Sequence, residues 1–437
     1  MKAAIITGLL IVAAPAVANP ADVIGLGARA IAMGGAQVAS VEDSTAGYYN
    51  PARLASGDDI HIDVGYQMSV PRVGANGETF AIDRAEGVAA GIAVPGTILG
   101  KRLAIGASLY IPDQQVTRTR TLPAERPRFL AYDNRPQRLL LTAAAAFELA
   151  PGLQVGAGVA YMASTNGTVE LQGLVGFPNT ADSDLDLSID VDVKTIRYPH
   201  AGLAWQATPR LMLGASYRGG FRLVIDQTVK VRGDLGTPET TVVEDGRLDL
   251  RSVSQDLFQP MQLTVGGAFK VTPCLLVALD LVYQRWSVYD NPTARIDVEL
   301  DVKQFNDLVM IPPARILEPP KLRDIVVPRA GVEWKGEPGP RRWTARGGYV
   351  FERAVAPEQK GESNFIDNHK HTLAAGGGIE WKGLGEVIRK PVSLDAFVTF
   401  TYLQPRDHHK TSPVDPVGDY TAKGHAFAAG LMSRWRF

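Results

Sequence analysis

Residues 25–55 read GLGARAIAMGGAQVASVEDSTAGYYNPARLA, a stretch dominated by Gly and Ala that closes on Asn50-Pro51-Ala52. Directly upstream lies the anatomy of a secretory signal. Lys2 gives a positive n-region, residues 3–14 an apolar h-region, and Ala16-Val17-Ala18 a small-x-small cleavage site, so residues 1–18 are expected to be removed and Asn19 to begin the mature chain. The apolar run is short of the roughly 20 residues that a membrane-spanning helix needs. Gly25-x-Gly27-x-x-Ala30 matches a dinucleotide fingerprint, but a cleavage site rather than a strand precedes it, so no nucleotide site is expected there.

Composition leaves the compartment open. The 437 residues are 45% hydrophobic and 21% charged with a net charge of -1, which excludes only the strongly basic nucleic-acid binders. Cys274 is the sole cysteine, so no intrachain disulfide can form, and a small buried or lipid-facing residue is the reading it favours. Downstream of the signal the most apolar run, residues 139–147, is the length of one tilted barrel strand. The mature chain is therefore either soluble in the periplasm or crosses a membrane as a closed sheet.

Alternation decides between them. Leu275, Val277, Leu279, Leu281 and Tyr283 alternate with Leu276, Ala278, Asp280, Val282 and Gln284. Leu394, Val398, Phe400 and Tyr402 do so against Ser393, Asp395, Phe397 and Thr399, and the terminal segment sets Phe427, Leu431, Trp435 and Phe437 against Gly430, Arg434 and Arg436. Such segments number about fourteen, with starts near Ile60, Gly87, Arg102, Gln137, Leu153, Leu187, Arg210, Arg247, Leu275, Leu322, Trp343, Lys370, Pro391 and Ala422. Tight turns such as Ala150-Pro151-Gly152, Ala207-Thr208-Pro209 and Val271-Thr272-Pro273 alternate with long loops at 302–321, 357–369 and 405–421. That sorting predicts an all-β, antiparallel transmembrane β-barrel of the bacterial outer membrane, with both termini periplasmic. The domain reading is signal 1–18, N-terminal hatch or plug 19–58, and barrel 59–437. Pro51 fixes its own φ and biases Asn50 away from helix, turning the chain from plug to wall, while Gly34, Gly35, Gly47 and the alanines permit close backbone approach.

The order and spacing of several short motifs resemble the FadL/TodX-type outer-membrane channels for long-chain fatty acids and other hydrophobic compounds. They are the Gly/Ala-rich leader ending in Asn50-Pro51-Ala52, the segment from Gly106 to Pro112 (GASLYIP), Gly214-Ala215-Ser216-Tyr217-Arg218, the run DLVYQRWS at 280–287 with Tyr289-Asp290, and Arg346-Gly347-Gly348-Tyr349. What the resemblance implies is a hydrophobic route: capture at the outer loops, passage to a pocket in the barrel, a shift of the hatch, then lateral exit at a kinked third strand. The matching gate positions here are Pro112, which cannot donate to the ladder, and Gly106.

Several inferred inward positions are apolar, among them Leu140, Leu276 and Val282, and Phe397, Trp286 and Met162 are the apolar ligand candidates. Arg218 and Arg346 are the candidates for a carboxylate head, with ordinary ion pairs to Asp280, Asp395 or Glu333 as the competing use. Leu171, Leu174, Val175 and Phe177 form a short candidate landing surface outside. The expected ligand is a hydrophobic, fatty-acid-like small molecule, taken up by a monomer surrounded by outer-membrane lipid and lipopolysaccharide. No cofactor, metal or nucleic acid is expected: neither G-x-S-x-G nor H-E-x-x-H occurs, and His369, His371, His408 and His409 read as loop histidines. A plugged barrel serving as an assembly or secretion partner, a general porin and an outer-membrane lipase are the competing classes.

Overall fold

A computed structural model describes residues 23–113, 127–129, 139–176, 179, 181, 183–289, 295–308, 310–311, 320–337, 339–383, 388–413, 415 and 417–437. The signal reading and Phe177 lie outside the described residues.

The chain is a closed barrel of fourteen antiparallel strands. They are β1 His61–Ala75, β2 Ala85–Ile98, β3 Lys101–Pro112, β4 Leu140–Ala150, β5 Leu153–Gly176, β6 Asp184–Gln206 and β7 Leu211–Arg218, followed by β8 Met261–Thr272, β9 Leu275–Arg285, β10 Ile325–Lys335, β11 Arg341–Glu352, β12 Lys370–Trp381, β13 Val392–His408 and β14 Tyr420–Arg436. Closure comes from β14 pairing back onto β1 along its whole length, His61 opposite Arg436 and Ala75 opposite Ala422. Both ends of the wall therefore sit at one rim, the rim of the tight turns. Leu99 and Gly100, both at positive φ, join β2 to β3 in the two-residue form that matches strand twist.

Burial follows the alternation. Leu279 and Leu281 are 60% and 51% exposed on the lipid side, while Ala278, Asp280 and Val282 between them are buried. Cys274 is half-buried in the β8–β9 turn with its Sγ 3.5 Å from Glu337 Oε1, a polar rim position instead of a core or lipid-facing one.

One strand differs from the sequence expectation. The segment near Arg247 is not in the wall; the eighth strand is Met261–Thr272, paired with β7 and β9. Arg247 belongs to a hairpin, Phe221–Thr237 with Thr240–Gln259, that rises above the outer rim. β5 and β6, 24 and 23 residues long, are about twice the length of one crossing. The upper part of β5 pairs in parallel with the hairpin, and Arg295–Asp301 completes a five-stranded extracellular sheet. Its register puts Leu171, Leu187, Ile189, Val231, Leu248 and Leu300 on one face and Gln172, Asp186, Arg232, Arg247 and Asp301 on the other. Alternation on this sheet is as strict as in the wall, which is why periodicity alone misassigned it. Leu174 pairs with Asp184 on the polar face, so the landing surface read from the sequence divides between two faces.

Candidate functional site

The lumen holds residues 23–56 of the same chain. Helices α1 (Ala28–Ala32) and α2 (Ala46–Tyr49) and a 3₁₀ turn, Pro51–Ser56, are buried almost throughout inside the barrel. These helices are too short to persist alone, so the wall must hold them. It does so partly by having no side chain where they touch. A Cβ on Gly202 would collide with the Asn50 side chain, on Gly156 with the Pro51–Ala52 peptide, on Gly214 with Val38, and on Gly348 with Gly34. Gly106 belongs to the same seat, because a Cβ there would meet Leu54.

Asn50 and Pro51 work as the turn chemistry requires. Asn50 is extended (φ -156, ψ 101), and its Oδ1 accepts from Ala52 N at 3.1 Å, capping the 3₁₀ turn with Pro51 at its first position. Its Nδ2 donates to Val38 O at 2.6 Å within the segment and to Leu203 O at 2.9 Å on the wall. Gly34 and Gly35 both have positive φ and lie against the backbone of Tyr349 and Ala330 and the side chain of Arg329.

Charged contacts hold the segment as well. Arg29 donates to both oxygens of Glu333 at 2.8 and 3.1 Å, and Glu333 also accepts from Arg346 at 2.7 Å; Arg346 reaches Asp395 as well. Asp280 Oδ2 accepts from the Gln37 and Val38 amides at 2.7 and 2.9 Å. Arg434 ties Asp63 of β1 to Asp43 of the segment at 2.7 and 2.9 Å. Each of these ions is buried and has a partner, the condition under which a buried charge is tolerated.

Above the segment lies a cavity of about 120 Å³. Its floor is apolar and comes from the segment itself: Ile24, Ile31, Val38, Tyr48 and Tyr49. Its wall is mainly hydroxylic and amidic, from Ser69, Gln262, Thr264, Thr372, Thr399 and Thr401, with Asp280 and Glu352 and the apolar Val350, Ala426 and Ala428 among them. Arg218 and Arg329 also reach it. Arg218 donates to Tyr48 O at 2.8 Å and lies 3.7 Å over the Tyr48 ring, so one wall cation is tied to the floor. Over the outer end, Trp286 and Tyr289 pack with Phe258, Leu322, Val355 and Phe365 as an apolar cap.

The five ligand candidates from the sequence do not converge. Arg218 lines the cavity. Trp286 belongs to the cap, Met162 packs with Tyr110, Leu140 and Tyr198 beside β3, β4 and β6, and Phe397 lies under Gly430 in the same apolar cluster as the segment. Arg346 serves the ion cluster beneath the cavity. The Ser, Thr and Gln wall was missed because its members come one or two at a time from four strands. Pro112 ends β3 opposite Gly87, and the β2–β3 and β3–β4 ladders run without a register shift. Of the histidines, His371 lies on β12 against Tyr349, and His408 is buried in a stack on Tyr420. Among the described residues no cluster of His, Cys, Asp and Glu is placed to hold a metal ion.

A family model described as outer membrane protein transport protein (OMPP1/FadL/TodX) matches residues 5–437. The chain belongs to this family. A Pseudomonas aeruginosa FadL homologue has the same fold with a TM-score of 0.61 at 15% identity, over 98% of this chain and 100% of that one. The P. putida toluene transporter TodX matches at 0.54 and 14%, over 95% and 99%, and the Ralstonia pickettii toluene transporter TbuX at 0.51 and 18%, over 95% and 99%. No curated protein matches the sequence. The family consists of outer-membrane transporters of hydrophobic compounds, and this member is an outer-membrane barrel.

Proposed function

We propose that this chain is a passive uptake channel for hydrophobic, fatty-acid-like or related compounds, that residues 19–58 are its hatch, and that it works as a monomer among outer-membrane lipid and lipopolysaccharide, without enzymatic activity. The observation that carries this is the placing of a cavity directly on the N-terminal segment: a ligand seated there touches Ile31, Val38, Tyr48 and Tyr49, so binding and movement of the segment act on the same residues. Solved structures of the same fold include toluene transporters, which supports a hydrophobic cargo.

Release sideways at the third strand is the exit we propose. In its support, Pro112 gives the top of β3 a residue without a ladder donor, and the Tyr110, Leu140 and Met162 cluster makes the lumen behind it apolar. Because the ladders are continuous, exit there requires β3 and β4 to part. Uptake of a hydrophobic probe by liposomes carrying the barrel is expected to exceed that of protein-free liposomes and to fall in Pro112→Ala. No uptake above the protein-free level sinks the channel reading; full uptake by Pro112→Ala moves the exit elsewhere.

A further inference from the structure

The cavity's walls say more about the cargo than the family does. A site for a bare hydrocarbon would be apolar all round. This one sets an apolar floor against Ser69, Gln262, Thr264, Thr372, Thr399 and Thr401; its two carboxylates are already engaged, Glu352 by Lys370 and Asp280 by the Gln37 and Val38 amides, and Val350, Ala426 and Ala428 are its apolar wall members. Thr372 and Thr401 bond each other at 2.8 Å, which still leaves lone pairs on both oxygens to accept from a ligand. Arg329 points into the same space; its Nε has no partner among the described residues, and its Nη1 only a 3.5 Å contact to Gly35 O. Arg218, the register partner of Gln262, lies over Tyr48 at the same cavity.

Volume restricts the cargo further. At 10–15 Å³ of such space per water, about 120 Å³ holds roughly ten waters or a ligand of about ten non-hydrogen atoms. A single ring with one polar substituent fills it, and a long acyl chain would have to run on beyond it. Desolvating hydroxyls and a guanidinium against a ligand that offers them nothing is unfavourable, so a wall built to hydrogen-bond discriminates against the unsubstituted analogue.

Building on the uptake reading, we propose that the preferred cargo is a compact oxygenated compound, a monocyclic ring bearing a carboxylate or hydroxyl. Its ring lies on Ile31, Val38 and Tyr49, and its oxygens face the threonine wall and Arg329.

The test is binding by the full-length barrel in nanodiscs, followed by calorimetry, with benzoate, benzyl alcohol, toluene and palmitate as probes, alongside uptake into liposomes. Benzoate and benzyl alcohol are expected to bind at least about tenfold more tightly than toluene, and palmitate is expected not to displace them. Arg329→Gln should weaken benzoate about tenfold while sparing benzyl alcohol. Thr264→Val with Thr372→Val and Thr399→Val, which keeps the shape and removes the hydroxyls, should reverse the preference toward toluene; barrel integrity is checked by heat-modifiable gel mobility. Toluene binding as tightly as benzoate, displacement by palmitate, or no benzoate binding overturns the proposal even where uptake persists. Benzoate binding without uptake of any probe leaves the ligand class standing and overturns the channel reading instead.

Discussion

Between β3 and β6 the N-terminal segment meets the wall through alkyl and aromatic groups and neutral hydrogen bonds such as Ser108 Oγ to Ser44 O, whereas between β8 and β14 buried carboxylates and guanidiniums hold it. On the first side Leu54, Tyr48 and the alanines pack with Tyr110, Leu140, Met162 and Tyr198. On the second, Arg29, Gln37, Val38 and Asp43 are held by Glu333, Asp280 and Arg434. Apolar packing is non-directional and tolerates small slides, while a bidentate ion pair fixes one position. The apolar side supplies cohesion and the polar side supplies registration, and the cavity opens beside the polar side.

Removal of residues 23–56 breaks the comparison outright and carries the largest expected effect: both sides lose their partner, and the barrel should pass small hydrophilic solutes that the intact protein excludes, read as liposome swelling. An unchanged barrier would mean that the outer cap, not the segment, closes the lumen. Glu333→Gln comes next. It removes the shared carboxylate and leaves Arg29 and Arg346 facing each other, a loss of about 3–5 kcal/mol for a broken buried pair, and it should speed proteolysis at Arg29 and raise leakage. Met162→Ala sharpens the contrast: about 2–5 kcal/mol of stability is lost from the apolar side, read as a lower melting point, with leakage unchanged. If Met162→Ala leaks as much as Glu333→Gln, the division of labour between the sides is wrong.

The smallest effect lies outside the lumen. His409 has its pKa raised by its hydrogen bond and charge interaction with Asp419, whose other oxygen accepts from the Lys410 amide at 2.7 Å. Because the folded value lies above the unfolded one, the contact is fully present below the unfolded pKa and is lost as pH rises through the raised value. Amide exchange at Lys410 should therefore accelerate on titrating upward within about pH 5 to 8, while exchange in residues 28–49 stays flat. Equal acceleration in both places would couple the loop to the segment.

Much of the wall was legible because a residue facing lipid must be apolar and its neighbour need not be. Leu275 to Gln284 and Ser393 to Tyr402 fall on the faces their alternation implies. The segment near Arg247 deceived because the extracellular sheet obeys the same period, with Leu248 and Leu250 opposed to Arg247, Asp249 and Arg251; depth in the membrane leaves no mark on periodicity. The charged residues packed into that hairpin were the available clue. Asn50 and Pro51 were readable, since a proline constrains its predecessor wherever it stands. The cavity was not: Ser69, Thr264, Thr372 and Thr399 are unremarkable singly, and only closure of the sheet brings them together. Inward apolar residues such as Trp286 and Met162 looked like ligand contacts for the converse reason, since one strand does not tell a wall that faces space from a wall that faces another part of the chain.

The glycines that seat the N-terminal segment have a further consequence if that segment withdraws. Gly156, Gly202, Gly214, Gly331, Gly348 and Gly376 each lack the side chain that would otherwise project toward the axis. What the departing segment uncovers at these six positions is bare main chain, with no rotamer to swing out of the way. A molecule moving from the cavity toward its exit would pass a surface shaped in part by omission, and the same omission that lets the segment fit would clear its path.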